Sequence, residues 1–156
     1  MVLIAVDPGV VTGFAFFVGG KLLSAKTCSV EEFRMLIENE TPLSWQNSRK
    51  PHESVCVIEL PQIYPGQQQK GDQNDLITLA VAVGRYVEIA KACGFQTRLV
   101  KPREWKGQLP KDVCWSRVKD TLSFEELARI PKLPKSRAHN MHDAIGIGTW
   151  FLKRWR

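Results

Sequence analysis

The sequence has 156 residues, 44% of them hydrophobic, and a formal net charge of +6. This length suits one domain with a core of its own, which we predict to span residues 1–156. The four cysteines form no CxxC pair, which argues against a zinc ribbon or a disulfide framework. The apolar run at 2–6 is too short for a signal peptide or a membrane span, so we expect a cytoplasmic protein with no membrane association.

The positive charge is concentrated in the C-terminal half. Residues 101–137 contain ten Lys or Arg and five Asp or Glu, and 153–156 add three more basic residues. A basic surface on a near-neutral body favours a polyanionic partner, and nucleic acid is a more natural partner than a membrane. A solvated basic surface with no partner is the alternative.

The first part of the chain predicts three antiparallel strands, a helix and a fourth strand. The β-branched run MVLIAV ends at the breaker DPG, and Gly19 and Gly20 separate two further apolar runs, as in a hairpin. Ser29 is suited to begin a helix over about 29–40. The apolar run SVCVIEL then predicts a strand that carries Glu59 near its end.

The second part predicts a long helix, a strand and two further helices. Residues 75–93 are apolar around most of a helical circumference and end at Gly94. FQTRLV predicts a strand, PKDVCWSRVKDTL a basic amphipathic helix and HNMHDAIGIGTWFLKRWR a C-terminal helix. The order β-β-β-α-β-α-β-α-α is that of a mixed α/β domain.

Three acidic residues lie in or next to apolar segments of the sequence, where charged side chains are uncommon. Asp7 closes a buried strand, Glu59 lies within another, and Asp143 lies beside apolar residues of a helix. Carboxylates in apolar surroundings are costly unless they are paired or bind a cation. Each one alone has a structural explanation as a turn cap, a strand end or a solvent-facing helix residue, so their joint arrangement carries the functional prediction.

The segments around these acids resemble the motifs of RuvC-like Holliday junction resolvases, in particular the short phage-encoded members of this RNase H-like nuclease superfamily. IAVDPGVVTGFA resembles the first motif, VIELPQIYPG the second and HNMHDAIGIG the last. The motifs stand in the family's order and cover essentially the whole chain.

This resemblance implies an α/β RNase H-like fold with a central mixed five-stranded sheet flanked by helices. It implies a structure-selective endonuclease that resolves four-way or branched DNA and leaves a 5′ phosphate and a 3′ hydroxyl. Asp7, Glu59 and Asp143 would be the metal ligands, and the small residue after Asp143 would let its helix lie close to the sheet. If a phage encodes the protein, its location is the host cytoplasm.

The sequence departs from the family pattern before the last acid. The family usually has an Asp or His three residues earlier, where this chain has Asn140, and His139 and His142 lie nearby. Positions i−3 and i−4 share a helical face with Asp143, whereas i−1 does not. We therefore expect His139 or Asn140 to complete the site, with His139 favoured as the better ligand or proton carrier, and His142 to be an ordinary surface histidine.

A cluster of hard oxygen ligands predicts Mg²⁺, with Mn²⁺ as a substitute. Two ions about 3.5 to 4 Å apart can activate the attacking water and stabilise the leaving oxygen. We expect Asp7 to bridge both ions, with Glu59 and Asp143 each holding one.

We expect DNA to contact three parts of the chain. The resemblance assigns the Gly-rich turn after Asp7 to backbone contact with DNA, and the exposed loop after Glu59 to the junction branch point, where Tyr64 would stack on a base or instead pack its own loop. The basic segment from 101 supplies phosphate contacts, whereas Trp105 is more typical of a core residue. The predicted DNA-binding residues are Gly9, Thr12, Gly13, Tyr64, Lys70, Lys101, Arg103, Lys106 and Lys111.

Other functions remain open from the sequence. An actin-like or Hsp70-like nucleotide-binding domain also begins with a strand, an acid and a Gly turn, but it needs a second related domain. A protein that binds branched DNA without cutting it, and an RNase H-like nuclease on hybrids or flaps, use the same scaffold. Digestion of labelled junction, duplex and hybrid with Mg²⁺ or EDTA separates these alternatives.

The long helix also predicts a two-fold homodimer. Leu76, Leu79 and Val83 form a stripe for the sheet, whereas Ile77 and Val81 extend beyond it and leave apolar surface for a second subunit. Symmetric cutting of two strands suits an isologous pair. The competing explanation is that this helix is sandwiched between the sheet and the C-terminal helices of its own chain.

Overall fold

A computed structural model describes residues 1–40, 54–62 and 72–155. It contains a mixed sheet with strands β1 (Val2–Asp7), β2 (Thr12–Val18), β3 (Lys21–Cys28), β4 (Ser54–Glu59) and β5 (Gln96–Val100). The strand order is β3-β2-β1-β4-β5, with antiparallel pairing of β1 to β2 and β2 to β3, and parallel pairing of β1 to β4 and β4 to β5. The predicted five-stranded mixed sheet is therefore confirmed.

Helices cover both faces of the sheet. They are α1 (Val30–Glu40), α2 (Gln73–Ala92), α3 (Pro102–Trp105), α4 (Lys111–Asp120), α5 (Phe124–Ala128) and α6 (Lys135–Phe151). The four longer helices were predicted, whereas α3 and α5 are single turns that the sequence patterns did not indicate. No helix in the described part of the chain is long and apolar enough to span a membrane.

Alternation along the buried strand β1 divides the core into two layers. Ile4 and Val6 face α1 and α2, and Leu3 and Ala5 face α4 and α6. Because α2 and α6 cover opposite faces, the idea that α2 is sandwiched between the sheet and the C-terminal helices is wrong.

The C-terminal helix begins and ends earlier than predicted. It starts after Pro134, and at its other end Lys153 adopts a left-handed conformation with a φ of 57°. The chain then turns back, so that the indole N–H of Trp155 donates to the carbonyl of Gly146 and to the Thr149 hydroxyl. Residues 152–155 are therefore a packed cap and not a continuation of the helix.

The tail contributes less surface charge than the sequence indicates. Arg154 donates to both carboxylate oxygens of the buried Glu126 and to the carbonyl of Gly20. Glu126 in turn accepts from the backbone N–H groups of Leu22 and Ser123. This cluster ties the β2–β3 turn, α5 and the C-terminus together.

Candidate active site

The sheet register brings Asp7 and Glu59 to the same place. Strands β1 and β4 run parallel with Val6 opposite Ile58, so Asp7 and Glu59 are the next residues on each strand. Leu3, Ala5 and Val57 face the α6 side of the sheet, and side chains two residues apart share a face. Both carboxylates therefore lie at the carboxyl ends of neighbouring strands, on the side covered by α6.

Helix α6 brings Asp143 to this point because its backbone lies against β2. A Cβ atom on Gly13, which pairs with Asp7 in the sheet, would lie 1.9 Å from the carbonyl oxygen of Asn140. Ala144 is fully buried beside the sheet, as expected for the small residue after the acid. The lack of a side chain at Gly13 thus sets the distance between α6 and the sheet.

The structure places a lysine among the carboxylates. The Lys106 ammonium lies 2.9 Å from Oδ2 of Asp143 and 3.7 Å from Oε2 of Glu59. We expected Lys106 to contact a phosphate, and this remains a prediction; the structure adds that its largely buried side chain is paired with two of the carboxylates. Its position after the short helix α3 left no periodic signal that would have identified it.

Trp105 holds Glu59 from the core side. Its indole N–H donates to Oε2 of Glu59 over 2.5 Å, and its ring packs edge to face on Trp155. A side chain at Gly146 would meet the Trp105 ring at 2.7 Å. The prediction that Trp105 belongs to the core is confirmed. In addition, the indole N–H of Trp105 holds the carboxylate of Glu59 in position.

The charges of the cluster interact strongly. Burial raises the pKa of Asp7 well above its ordinary value, and the carboxylates of Glu59 and Asp143 raise it further. Burial also raises the pKa of Glu59, although the Lys106 ammonium opposes this. Burial on its own would lower the pKa of Lys106. The negative charges of Glu59 and Asp143 have the larger effect, so this pKa is raised. The cluster therefore favours cations.

The donor set fits a hard divalent cation in its chemistry. Carboxylates from β1, β4 and α6 interact electrostatically with one another, and a dication would relieve the repulsion that contributes to the raised pKa of Asp7. Within residues 1–40, 54–62 and 72–155, however, no three His, Cys, Asp or Glu side chains lie close enough in this conformation to hold one ion together. Lys106 contacts two of the three carboxylates instead.

The residues before Asp143 have distinct environments. Asn140 donates its amide N–H to the carbonyl of Val11 and so fastens α6 to the turn after β1. His139 lies on a cavity that Asp143 also lines, with its Nδ1 3.3 Å from the carbonyl of Lys135. Their predicted role in completing a metal site remains a prediction.

His142 is not the ordinary surface histidine that we expected. It is half-buried, and its ring stacks on Trp115 with centroids 3.7 Å apart and planes 6° apart. Burial lowers the pKa of His142 to about 4. Helical spacing alone did not reveal this, because the stack depends on how α4 packs against α6.

The turn after Asp7 requires another correction. Thr12 is only 1% exposed and hydrogen-bonds through its hydroxyl to Tyr86, and Gly13 is covered by α6. Neither is accessible for the DNA contact that we predicted, because both hold the turn in place. Gly9 remains partly exposed.

The other predicted DNA contacts divide into two groups. Lys101, Arg103 and Lys111 are exposed around α3 and the start of α4, where cations can reach a phosphate backbone. Tyr64 and Lys70 lie outside the described residues.

Comparison with solved structures identifies the fold. Thermus thermophilus RuvC in complex with a Holliday junction substrate superposes with a TM-score of 0.60 at 18% sequence identity, over 99% of this chain and 96% of that one. The chain has the RuvC fold. A second T. thermophilus RuvC structure gives a TM-score of 0.56 at 17% identity, with the same coverage. No protein family and no curated protein matches the sequence. Asp7, Glu59 and Asp143 are therefore three carboxylates at one end of a RuvC-fold sheet.

Proposed function

We propose that this protein is a divalent-metal-dependent endonuclease that resolves four-way and other branched DNA junctions. The observation that carries the proposal is that Asp7, Glu59 and Asp143 lie at one end of the sheet and interact electrostatically, with the Lys106 ammonium paired to Glu59 and Asp143. The RuvC fold supports it, since the T. thermophilus protein of that fold has been captured with a Holliday junction substrate. The exposed cations beside the cluster supply a surface for the DNA backbone.

In this proposal Asp7, Glu59 and Asp143 hold two Mg²⁺ ions, for which Mn²⁺ can substitute, and His139 or Asn140 completes the site. We favour His139, because an imidazole is the better ligand or proton carrier. When bound, the ions supply an activated water and neutralise charge on the leaving oxygen. The products carry a 5′ phosphate and a 3′ hydroxyl.

The protein residues position the reacting groups and balance charge. Trp105 fixes Glu59 through its indole N–H, and the turn held by Asn140 and Thr12 fixes the end of β1 beside Asp7. The Lys106 ammonium balances two carboxylates before substrate arrives. In the proposed complex the Lys106 ammonium would contact the scissile phosphate and stabilise the negative charge that develops in the transition state.

The test is digestion of four substrates with purified protein: a labelled four-way junction, a flap, a linear duplex and an RNA–DNA hybrid. Each is incubated with Mg²⁺, Mn²⁺ or EDTA. We expect paired nicks in the junction with either metal and none in EDTA. Preferential cutting of the hybrid or the flap would show that this structure, and not the junction, is the substrate. Tight binding of the junction without cutting of any DNA would identify a protein that only binds junctions.

A further inference from the structure

A cavity of about 440 Å³ lies beside the edge strand β5, on the face of the sheet that α6 covers. The buried Val57 and Val100 line it from the sheet, and Trp150 and Phe151 line it from the end of α6. Its volume falls within the range of about 300 to 1,000 Å³ that is usual for ligand sites. None of the three carboxylates of the candidate active site lines it, so it is a separate feature of the molecule.

The hydrogen-bond donors on this cavity lack acceptors. Arg98 lines it from β5 and Lys153 from the cap after α6, and neither is paired with a carboxylate in the described part of the chain. The indole N–H of Trp150 donates to no described group either. Glu104, the one acid among the described lining residues, already accepts from the backbone N–H of Lys101. Two cations and one anion on apolar walls favour a ligand that joins a carboxylate to an apolar group.

The backbone beside the cavity is an open edge of the sheet. Strand β5 pairs with β4 on one side and with no other described strand. The carbonyl of Val100 accepts from the N–H of Leu60, the residue after β4. Because successive residues of a strand direct their backbone groups to opposite sides, the N–H and C=O groups of Thr97 and Leu99 point away from β4. The Leu99 side chain is 45% exposed.

The opposite edge of the sheet is closed by side chains. On β3, the N–H of Leu22 donates to Glu126, and the carbonyl of Leu22 accepts from Arg129. Such covering prevents an edge strand from pairing with another chain. No described side chain closes β5 in this way, so its outward backbone groups are available to an added strand.

We propose that β5 and its cavity bind an extended acidic segment of a partner protein, which adds a sixth strand to the sheet. Main-chain hydrogen bonds to Thr97 and Leu99 would hold the segment, and the cavity would select its side chains. Side chains two residues apart on a strand share a face. An apolar side chain would therefore enter the cavity while acidic residues two positions away face Arg98 and Lys153.

The charges of the edge favour this occupant over two others. A second copy of the chain would bring its own Arg98 and Lys153 to the same edge, and like charges across an interface are costly. A DNA backbone would satisfy the cations, but it has neither apolar side chains for the cavity nor N–H donors for the carbonyls of β5.

The experiment adds the synthetic peptide GTETFTETG to the full chain in EDTA, without DNA. Its phenylalanine and both glutamates lie on one face of a strand. Two-dimensional NMR follows the indole N–H of Trp150, identified with Trp150→Phe, and the hydrogen exchange of the Thr97 and Leu99 amides. We expect the peptide to shift the Trp150 signal and to slow both exchange rates. GTETATETG, which lacks the phenyl ring, should bind about tenfold more weakly.

A charge swap tests the role of Arg98. Arg98→Glu should weaken binding of GTETFTETG about fivefold or more and should bind the lysine peptide GTKTFTKTG better than the wild type does. Arg117→Glu makes the same change at an exposed arginine of α4 and should stay within about twofold of the wild type for both peptides. A gain of binding for one peptide cannot result from loss of folding.

The proposal is overturned if saturating GTETFTETG leaves the Trp150 signal unmoved or the Leu99 exchange rate unchanged, or if Arg98→Glu and Arg117→Glu bind the peptide alike. Slow exchange at Leu99 that depends on protein concentration without peptide would overturn it in favour of a second copy. Displacement of the peptide by duplex DNA that itself shifts the Trp150 signal would overturn it in favour of DNA.

Discussion

At the scale of single residues, the candidate site consists of one ammonium and three carboxylates. The carboxylates repel one another. Replacing a carboxylate by its amide keeps the shape but removes the charge that binds a cation. We expect Asp7→Asn, Glu59→Gln and Asp143→Asn each to abolish Mg²⁺-dependent cutting while junction binding in EDTA stays the same or tightens, because the basic surface is intact.

Gel-shift and cleavage assays on the same preparations check this prediction. Asp120→Asn is the matched control, since it makes the same change at an exposed position of α4. Near-normal cutting by any of the three variants would remove that residue from the metal site.

Trp105 is expected to act on the metal through Glu59. Trp105→Phe retains an aromatic ring but removes the N–H that donates to the carboxylate. Losing a hydrogen bond to a charged group costs about 1.5 to 3 kcal/mol, so we expect the Mg²⁺ concentration for half-maximal cutting to rise roughly tenfold or more.

Calorimetric titration of Mn²⁺ without DNA measures the same effect independently of activity. Trp150→Phe, at a half-buried tryptophan elsewhere on α6, should leave metal affinity unchanged. Equal affinities for both variants would show that Trp105 only packs the core.

At the scale of elements, α2 leaves an apolar stripe on the outside of the molecule. Ile77 and Val81 are 64% and 63% exposed and lie four residues apart on one face, whereas Val83 is 3% exposed and faces the sheet. The predicted apolar excess on α2 is thus confirmed, and the homodimer remains a prediction. We expect Val81→Glu to convert a dimer into a monomer that still nicks junctions weakly but no longer cuts both strands together.

Sedimentation velocity at low micromolar concentration measures the mass of the wild type and the variant. Ala92→Glu adds the same charge at an exposed position at the end of the helix and should not change the mass. A wild-type monomer of 17.7 kDa, unchanged by junction DNA, would contradict the prediction.

The elements also show how far sequence patterns reach. The apolar runs and breakers of β1 and β4 sufficed to predict that Asp7 closes one strand and that Glu59 lies near the end of another, because these signals are local. That the two strands are neighbours depends on sheet pairing, which such runs do not encode. The pairing of Lys106 with the carboxylates and the hydrogen bond from Trp105 to Glu59 escaped prediction, because both depend on the single turn α3 and on contacts with Trp155, which is distant in sequence. The stack of His142 on Trp115 likewise depends on the packing of two helices, which no local pattern encodes.

At the scale of the whole molecule, the buried Glu126 cluster connects the β2–β3 turn, α5 and the C-terminus. Burial alone would raise the pKa of Glu126, but hydrogen bonds from Arg154 and from the backbone of Leu22 and Ser123 hold it at about 2, below the ordinary 4.5. A carboxylate with a lowered pKa in the folded state stabilises the fold above the unfolded pKa, and this contribution is lost as the pH falls from 4.5 towards 2. The shift corresponds to about 3 kcal/mol.

We expect Glu126→Gln to lower the free energy of unfolding at pH 7, and the difference from the wild type to shrink as the pH falls below 4.5. Urea unfolding followed by circular dichroism between pH 7 and pH 2.5 measures both. Glu125→Gln, at the exposed neighbouring position, should have little effect. A difference that does not change with pH would show that the charge of Glu126 contributes nothing.

The contact between Gly13 and the backbone of Asn140 has a consequence for mutational scans of this protein. Even the methyl group of alanine at position 13 has no room, so α6 must move outward and carry Asp143 away from Asp7 while all three acids stay intact. Such a variant would fold and bind DNA but score as inactive. A scan that ranks positions by lost activity alone would therefore group Gly13 with the three candidate metal ligands. If they bind metal as proposed, we expect a high metal concentration to restore part of the activity to the glycine variant only.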